Sequence, residues 1–364
     1  MAKSIGIGQL LIIGFDGTEM SPRLASLLTK IQPAGVILFA RNIKGAEQTH
    51  TLLRECQKCV KTPLFTCVDL EGGRVDRFRN VIGSAPSAAD VFATGDRRLF
   101  RKQGRVIGEN CRALGFNLDF AQALDLAFEA SRSVMSSRSV SADPKEVVTY
   151  AREFLRGLGD AGMFGCGKHF PGLGESNLDT HHELPSVEKP FGKLWEQDLV
   201  PYRIMRRELP FVMISHAAFP AVTKDRTPAS LSKKWITDVL RKKIGYRGVI
   251  CSDDLEMGGV LAATPIEQAT IEHIRAGGDL AIICHQEDLI LRAHEAMIRE
   301  AERDRGFARR VQESARRVLA FKKKHLTRSR TPAPTARRIE KLTRQLWEFA
   351  EEIRLATLDR EEQA

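Results

Sequence analysis

The feature that most constrains the fold of this chain is a regular alternation of short apolar runs with helical segments. The runs are rich in β-branched residues and have the length of buried strands. We predict eight strands, at Gln9–Phe15, Gly35–Ala40, Leu64–Leu70, Phe116–Phe120, Met163–Lys168, Phe211–His216, Gly248–Ser252 and Asp279–Cys284. Helical spacing occurs between them, for example in Arg98–Leu114, Pro144–Leu158, Lys233–Ile244 and Pro265–Ala276. Strands that alternate with helices pair in parallel, so the sequence predicts an α/β fold.

Polar residues follow several of these runs at their C-terminal ends, among them Asp69, Lys168, His216 and Asp253. In a closed barrel these ends share one face, where residues distant in sequence converge. Eight strands therefore favour a single-domain, TIM-like (β/α)8 barrel, with an extra helix near the C-terminus. A doubly wound open sheet is the alternative. No G-x-G-x-x-G or P-loop sequence follows an early strand, which counts against it.

Length and composition are those of a globular protein, with 364 residues, 43% of them hydrophobic and 28% charged. No apolar run reaches the roughly 20 residues needed to cross a bilayer. The apolar segment Ile5–Phe15 contains Gln9 and has no strong basic start, so we interpret it as structural rather than as a signal sequence.

The seven cysteines are an odd number, scattered along the chain, and do not form a disulfide framework. A reducing compartment is the simplest explanation, and we expect a cytoplasmic location. Cys56 and Cys59 have C-x-x-C spacing, but no second cysteine pair accompanies them. We interpret them as helix thiols rather than as a zinc or redox site.

The net charge of +10 is concentrated between Arg299 and Arg344. A nucleic-acid patch is one explanation, and a solvated helical face is the other. The basic residues interleave with helix-forming apolar positions and lack an aromatic stacking platform, which favours the solvated face. We therefore expect neither a nucleic-acid partner nor a membrane partner.

The segment Thr327–Thr335 is rich in Pro, Ser, Thr and Arg and predicts a linker. Apolar residues at helical spacing then predict a helix over residues 337–354, docked on the barrel or on another subunit. We expect a catalytic barrel in residues 1–326 and a linker with a basic helical tail in residues 327–364. A monomer is expected, with a homodimer through the C-terminal helix as the alternative.

Two carboxylates end the seventh run, in Ser252-Asp253-Asp254. Neighbouring strand residues point to opposite sides, so only one of the two faces the barrel axis and the other is structural. A carboxylate on a pocket floor can act as a base, a metal ligand or a covalent nucleophile.

The segment Asp179-Thr180-His181 contains a possible proton-transfer pair. Asp179 can orient the imidazole of His181 and raise its basicity. A carboxylate opposite a proton donor is the arrangement that cleaves acetals. With Asp253 as the carboxylate, His181 would be the donor; a solvated loop histidine is the alternative.

Two further stretches supply polar groups that can meet a ligand, and those of the first suit a sugar. In the first, Asp69 can accept hydrogen bonds from hydroxyl groups, a glycine pair lets the backbone turn, and Arg77 can bond a hydroxyl or an amide carbonyl. An ordinary βα turn with surface ion pairs is the alternative. The second is Lys168-His169-Phe170-Pro171-Gly172, which places a cation and an imidazole at the end of a buried strand.

Together these stretches resemble glycoside hydrolase family 3, and within it the bacterial β-N-acetylglucosaminidases that recycle peptidoglycan. The resemblance covers roughly residues 5 to 325. The matching segments are Gly8-Gln9-Leu10, Gly35–Asn42, Asp69–Val75, Lys168–Gly172 and Ser252–Leu255, with Asp179-Thr180-His181 where that subgroup carries its acid/base.

The resemblance implies a retaining, two-step β-N-acetylhexosaminidase without a metal or organic cofactor. It assigns Asp253 as nucleophile and Asp179 with His181 as the acid/base dyad. Five residues match those that hold the N-acetylglucosamine ring: Asp69, Arg77, Arg138, Lys168 and His169. The implied substrate is N-acetylglucosamine linked β-1,4 to 1,6-anhydro-N-acetylmuramic acid, with or without its peptide.

The chain departs from the subgroup's pattern at Leu173, Gln122 and Leu70, none of which is a proposed catalytic residue. Two other functions use the same scaffold. A phosphorylase would transfer the sugar to phosphate rather than to water. A sugar-binding barrel would bind the sugar without catalysing its release.

Overall fold

Eight parallel strands form the centre of the molecule. The structure, a computed structural model, describes residues 6–176, 184–326 and 332–362. The strands follow the order β4-β3-β2-β1-β8-β7-β6-β5. They are β1 (Leu11–Ile13), β2 (Gly35–Ile37), β3 (Phe65–Val68), β4 (Leu118–Asp119), β5 (Cys166–Phe170), β6 (Phe211–Ile214), β7 (Val249–Asp254) and β8 (Leu280–Ile283).

The two ends of this sheet meet, so the sheet is a barrel. Parallel bridges join Leu118 to Phe164 and Ala123 to Lys168, and the Asp119 amide donates to the Phe164 carbonyl over 2.9 Å. The predicted TIM-like barrel is confirmed, and the open doubly wound sheet is wrong because both of its would-be edges are paired.

Helices surround the barrel and connect successive strands. They are α1 (Pro22–Ile31), α2 (Ala46–Lys58), α3 (Ala88–Ala93), α4 (Arg97–Ala113), α5 (Arg132–Met135), α6 (Pro144–Asp160), α7 (Phe191–Glu196), α8 (Val200–Met205), α9 (Pro220–Thr223), α10 (Gly258–Leu261), α11 (Ile266–Ala276), α12 (Glu287–Arg303), α13 (Arg305–His325) and α14 (Ala336–Glu362), with a π-helix at Lys234–Ile244. Among the described residues, no helix combines the length and apolarity needed to cross a membrane.

Apolar side chains fill the barrel interior. At its amino-terminal end, Phe321 from α13 packs edge-on against Phe211 with ring centroids 5.0 Å apart, and Phe65 lies beside both. Aromatic rings close this end, and the polar residues at the ends of the strands lie at the opposite, carboxyl-terminal mouth.

All eight predicted strands are present, and most are shorter than their apolar runs. The fifth differs most, since β5 begins three residues after the predicted start at Met163 and extends through His169 to Phe170. Gly162 has a positive φ of 78°, so the chain is still turning before β5. Lys168, predicted as the last residue of the strand, and His169, predicted to follow it, both lie within β5.

The solvated face predicted for the basic C-terminal region is wrong for three of its cations. Arg310 and Arg317 turn toward the buried carboxylate of Asp279. Lys322 is 1% exposed, and its Nζ donates to Gln9 Oε1 over 2.8 Å. The aliphatic stem of a lysine can line an apolar interior, which explains why a basic run in the sequence does not reveal this burial.

The C-terminal helix α14 is longer than the predicted 337–354 segment and docks on the barrel. Its residues Leu342, Leu346, Phe349 and Ile353 are buried, and they pack toward α3 and α4. The Nη1 atom of Arg360 donates to the Ala93 carbonyl over 2.6 Å. One face of α14 is therefore part of the hydrophobic core.

Candidate active site

The carboxyl ends of β3, β5 and β7 bring together four of the residues singled out from the sequence. Asp69 follows β3, Lys168 and His169 lie in β5, and Asp253 lies in β7. Arg138 joins them from a 3-10 turn, Ser136–Arg138, in the connection after β4. The fold thus places residues from four separate segments of the chain at one mouth.

Lys168 is the centre of the charged array. Its Nζ lies 3.0 Å from Asp69 Oδ1 and 2.6 Å from Glu71 Oε1, and its side chain is only 3% exposed. Burial acts to lower the pKa of Lys168, but Asp69 and Glu71 outweigh it and hold that pKa above its ordinary value. Lys168 is therefore a cation throughout the physiological pH range.

Glu71 links Lys168 to Arg138. Arg138 Nε and Nη2 donate to the two oxygens of Glu71, each over 2.8 Å, in a bidentate pair. Burial acts to raise the pKa of the Glu71 carboxyl, but Arg138 and Lys168 reverse this and hold it far below its ordinary value. Because its oxygens are occupied by protein cations, Glu71 positions them rather than meeting a ligand.

His169 is oriented by Asp125. The imidazole Nδ1 lies 2.7 Å from Asp125 Oδ2, and the His169 amide donates to the same oxygen over 3.0 Å. Arg138 Nη2 lies 3.4 Å from His169 Nε2. Since a guanidinium can only donate, this geometry favours the tautomer with the proton on Nδ1 and a lone pair on Nε2.

Asp253 is a half-buried carboxylate with the properties of an ionised group. Its Oδ1 accepts a hydrogen bond from the Asp254 amide over 2.8 Å. Burial acts to raise the pKa of Asp253, but His169, His216, the amide and Lys168 together lower it below the ordinary value. The carboxylate is therefore available as an anion at neutral pH.

The neighbouring Asp254 is turned away into a structural network. Its Oδ1 accepts from the Glu256 amide over 3.0 Å, and its Oδ2 lies 3.3 Å from His285 Nε2. Both oxygens of Asp254 are therefore held by structural contacts, whereas only Oδ1 of Asp253 is held by the described residues, as expected for neighbouring strand residues that point to opposite sides.

His216, which follows β6, contacts the backbone next to Asp253. Its Nε2 lies 2.8 Å from the Asp254 carbonyl oxygen, and its Nδ1 lies 2.7 Å from Ser230 Oγ. Burial lowers the pKa of His216 below its ordinary value. The neutral imidazole then donates from Nε2 to the carbonyl and accepts from the serine hydroxyl.

Arg77 lies on the loop after β3 but does not join the array around Lys168. Its guanidinium carbon is 5.7 Å from the centroid of the Phe39 ring, and its Nε is buried without a hydrogen-bond partner among the described residues. The loop turns back through Gly72, whose φ is +84° and where an added Cβ would lie 2.2 Å from the Pro86 carbonyl oxygen. Only glycine fits this turn.

Asp179 and His181 lie outside the described residues, so their predicted acid/base role stays a prediction. Cys56 and Cys59 are free thiols at the end of α2, and no cluster of three or more potential metal ligands occurs in the described part of the chain.

Sequence reasoning did not assign roles to four residues that support the array: Glu71, Asp119, Asp125 and His216. Asp119 is fully buried, accepts from the Leu70 amide over 2.9 Å, and has a pKa that burial raises well above its ordinary value. Strand alternation offers a signal for Glu71, since residues 69 and 71 share one side. His216 stands at the end of the sixth predicted run, which is a signal of the same kind, whereas the roles of Asp119 and Asp125 are revealed only by their partners in three dimensions.

An ionised strand-end carboxylate beside several buried hydrogen-bonding side chains, at the carboxyl mouth of a (β/α)8 barrel, is an arrangement typical of glycoside hydrolases. Comparison with known proteins identifies the family. Residues 5–321 match the glycosyl hydrolase family 3 N-terminal domain, and the chain belongs to that family of glycoside hydrolases.

Relatives and solved structures agree with this placement. A β-hexosaminidase of Bordetella parapertussis is 38% identical over 287 residues, covering 77% of this chain and 80% of the relative. A family 3 β-N-acetylglucosaminidase from Paenibacillus sp. FPU-7 superposes with a TM-score of 0.87 at 31% identity, covering 96% of this chain and 69% of that one. Native NagZ from Neisseria gonorrhoeae gives a TM-score of 0.74 at 28% identity, covering 93% and 97%.

Proposed function

We propose that this enzyme is a retaining exo-β-N-acetylglucosaminidase that removes N-acetylglucosamine from the non-reducing end of its substrate. The observation that carries the proposal is Asp253, a half-buried carboxylate that is held ionised near Lys168 and His169. The names of the Bordetella and Paenibacillus relatives support the sugar preference.

Asp253 is the nucleophile in this proposal. Its lowered pKa keeps it anionic, and an anion can attack the anomeric carbon to form a glycosyl-enzyme ester. The bond from the Asp254 amide to Oδ1 fixes the orientation of the carboxylate, and the other oxygen, Oδ2, is the one that attacks. Water then cleaves the ester in the second step, and the product keeps its anomeric configuration.

Asp69, Lys168, His169 and Arg138 hold the sugar ring. Lys168 and Arg138 donate to hydroxyl oxygens, whereas Asp69 accepts from hydroxyl groups; its side chain is 18% exposed, more than those of its partners. Glu71 and Asp125 keep these groups in place through the 2.6 Å and 2.7 Å contacts described above. A preformed set of oriented groups binds with little loss of side-chain entropy.

Arg77 completes the ring-binding set in the sequence resemblance, and we propose that it contacts the sugar from the β3 loop. A buried Nε without a partner is compatible with a donor that a ligand satisfies.

The proposed acid/base is His181, oriented by Asp179. It would protonate the departing oxygen in the first step and accept a proton from water in the second. An imidazole near its ordinary pKa of about 6.5 can do both close to neutrality.

For the natural substrate we propose 1,6-anhydromuropeptides, and for the place of action the cytoplasm. Both rest on the resemblance to the peptidoglycan-recycling subgroup. We also retain the expectation that catalysis requires no metal or organic cofactor.

Trapping tests the reaction class and the nucleophile together. A 2-acetamido-2-deoxy-5-fluoro glycoside should add its sugar to the peptide that contains Asp253, and mass spectrometry locates the modified residue. Asp253→Asn should abolish labelling and hydrolysis, whereas the matched variant Asp254→Asn should still be labelled. Label on another residue, or near-full turnover by Asp253→Asn, would remove Asp253 as nucleophile.

Product analysis distinguishes hydrolysis from phosphorolysis. In phosphate buffer the proposed hydrolase releases free N-acetylglucosamine. NMR should detect its β-anomer first, as expected for a retaining enzyme. Accumulation of the sugar 1-phosphate would indicate the phosphorylase instead.

A further inference from the structure

The outer face of α14 is unusually apolar for a surface helix. Trp347 is 68% exposed, Leu355 48% and Leu358 44%. In the described part of the chain, these are three of the five large hydrophobic side chains with high exposure. Large apolar side chains grouped on one exposed helix face are typical of interaction sites.

A shallow groove lies at the amino-terminal half of the same face. It has a volume of about 460 Å³ and is lined by Ile339, Glu340, Thr343, Arg344 and Trp347. The spacing of these residues is that of a hole between two successive helical turns, which accepts a side chain from a facing helix.

Charge is distributed unevenly along α14. Residues 336–346 carry four cations and one carboxylate, a net charge of +3, whereas residues 348–360 carry four carboxylates and two arginines, a net charge of −2. Among the described residues, Arg337, Arg338, Lys341 and Arg344 have no ion-pair partner. Trp347 stands at the boundary between the two halves.

We propose that this face is a dimer interface, in which the α14 helices of two copies pack antiparallel about a two-fold axis at Trp347. A closed two-fold interface requires a patch that is complementary to itself. Antiparallel packing places the positive half of each helix beside the negative half of the other. The charge distribution, together with the groove, favours a second copy over other partners.

Two pairs of residues around Trp347 fit this symmetry. Reversal about position 347 pairs Ile339 with Leu355 of the partner subunit, and Glu340 with Arg354 of the partner subunit. Leu355 of the partner subunit then enters the groove that Ile339 and Trp347 line. Arg354 pairs with Glu351 of its own helix over 2.6 Å, an exposed contact that it can share with a new carboxylate.

The helix is long enough for such a contact. Its 27 residues span about 40 Å at a rise of about 1.5 Å per residue. Its opposite face is fixed to the barrel by buried side chains, so dimerisation does not require the helix to detach. Two rigid surfaces that meet without rearrangement lose little conformational entropy.

Sedimentation equilibrium on the full chain tests the proposal. The wild type should be a dimer that dissociates on dilution. Trp347→Glu, which puts two carboxylates on the axis, should raise the dissociation constant by at least tenfold. Ile204→Glu, at another apolar residue that is 44% exposed but lies on α8, should leave the dissociation constant unchanged. Circular dichroism melting verifies that each variant is folded.

A charge-reversal cycle tests the antiparallel register. Glu340→Lys and Arg354→Glu should each weaken the dimer, and the double variant should recover most of the loss because opposite charges face each other again. A wild-type chain that sediments as a monomer at its highest soluble concentration would overturn the proposal. A dimer insensitive to Trp347→Glu would overturn it as well, and a double variant without recovery would overturn the antiparallel register.

Discussion

Lys168 and Glu71 form an ion pair of 2.6 Å between side chains that are only 3% and 1% exposed. Glu71 also holds Arg138 in a bidentate pair, so one buried carboxylate positions two cations that we assign to the sugar ring. The positions of Lys168 and Arg138 therefore depend on Glu71, whose two oxygens are both occupied by these side chains.

Glu71→Gln should therefore reduce both stability and activity. The amide removes a negative charge from between two buried cations, and breaking a buried pair in this way typically costs about 3–5 kcal/mol. We expect that range for the loss in free energy of unfolding, measured by urea denaturation, with a fall in kcat/KM from the displaced Lys168 and Arg138.

The matched control is Asp160→Asn, which breaks the exposed pair with Arg101 whose side chains are 51% and 40% exposed. This pair is screened by solvent, so its loss should change the free energy of unfolding little and leave turnover unchanged. Equal losses for the two variants would contradict the role given to Glu71.

His216→Phe should lower kcat more than it raises KM. The phenyl ring leaves the Asp254 carbonyl and the Ser230 hydroxyl without their present partner, which costs about 1–3 kcal/mol of stability. It also releases the backbone next to Asp253, so we expect a roughly tenfold or greater loss of kcat from a displaced nucleophile.

Steady-state kinetics on a 4-nitrophenyl N-acetylglucosaminide measures this split between kcat and KM. His294→Phe, at a buried histidine on α12, is the control and should leave both constants near wild type. Unchanged kcat in folded His216→Phe would exclude a positioning role for His216.

The fold was largely predictable because its strands are local apolar runs. Each of the eight strands lies within or overlaps a run chosen from composition and spacing, and the helix α6 begins at the predicted Pro144, after Asp143 caps it. The strand limits were less predictable, because pairing with neighbours determines them. The run at Phe116–Phe120 yields only Leu118–Asp119 as strand.

The site was predictable only where function leaves a local motif. Asp69, Lys168, His169 and Asp253 stand at strand ends, whereas Arg138 required a family resemblance. Its contact with Glu71 joins residues separated by 67 positions, and no local pattern encodes such a pair. The burial of Lys322 was missed for the same reason, since its partner Gln9 is 313 residues away.

Lys168→Met should shift the acid limb of the pH profile for kcat/KM toward higher pH. Lys168 is one of the groups that lower the pKa of Asp253, and it carries a full positive charge, so its removal makes the ionised carboxylate less favourable. Activity requires this carboxylate as an anion. As the pH is lowered, the variant should therefore lose its remaining activity at a higher pH than the wild type does.

The pKa of Asp253 is lower in the folded chain than in the unfolded chain, so its ionisation stabilises the fold at pH values above the unfolded-state pKa. This stabilisation is lost as the pH falls through the folded-state pKa. The pH profile of Lys168→Met should be recorded at constant ionic strength. An acid limb that stays in place, or moves to lower pH, would contradict the electrostatic coupling.

Lys322→Met should stabilise the protein at neutral and acidic pH, and this advantage should shrink as the pH rises. Lys322 is buried beside Phe65, with its Nζ 5.1 Å from the ring centroid, and burial lowers its pKa from 10.5 to about 7. Between these two pH values the unfolded chain binds a proton that the folded chain does not. Wild-type stability therefore rises with pH in that window, by at most about 1.4 kcal/mol per pH unit from this group.

Methionine has a similar length and no charge, so the variant lacks this dependence. Urea denaturation of both proteins at pH 6, 8 and 10, values chosen to bracket about 7 to 10.5, measures the difference directly. The stability advantage of Lys322→Met should be largest at the lowest of these pH values and smallest at the highest. A difference that is constant across the series would show that Lys322 titrates alike in the folded and unfolded chains, and one that grows with pH would reverse the predicted sign.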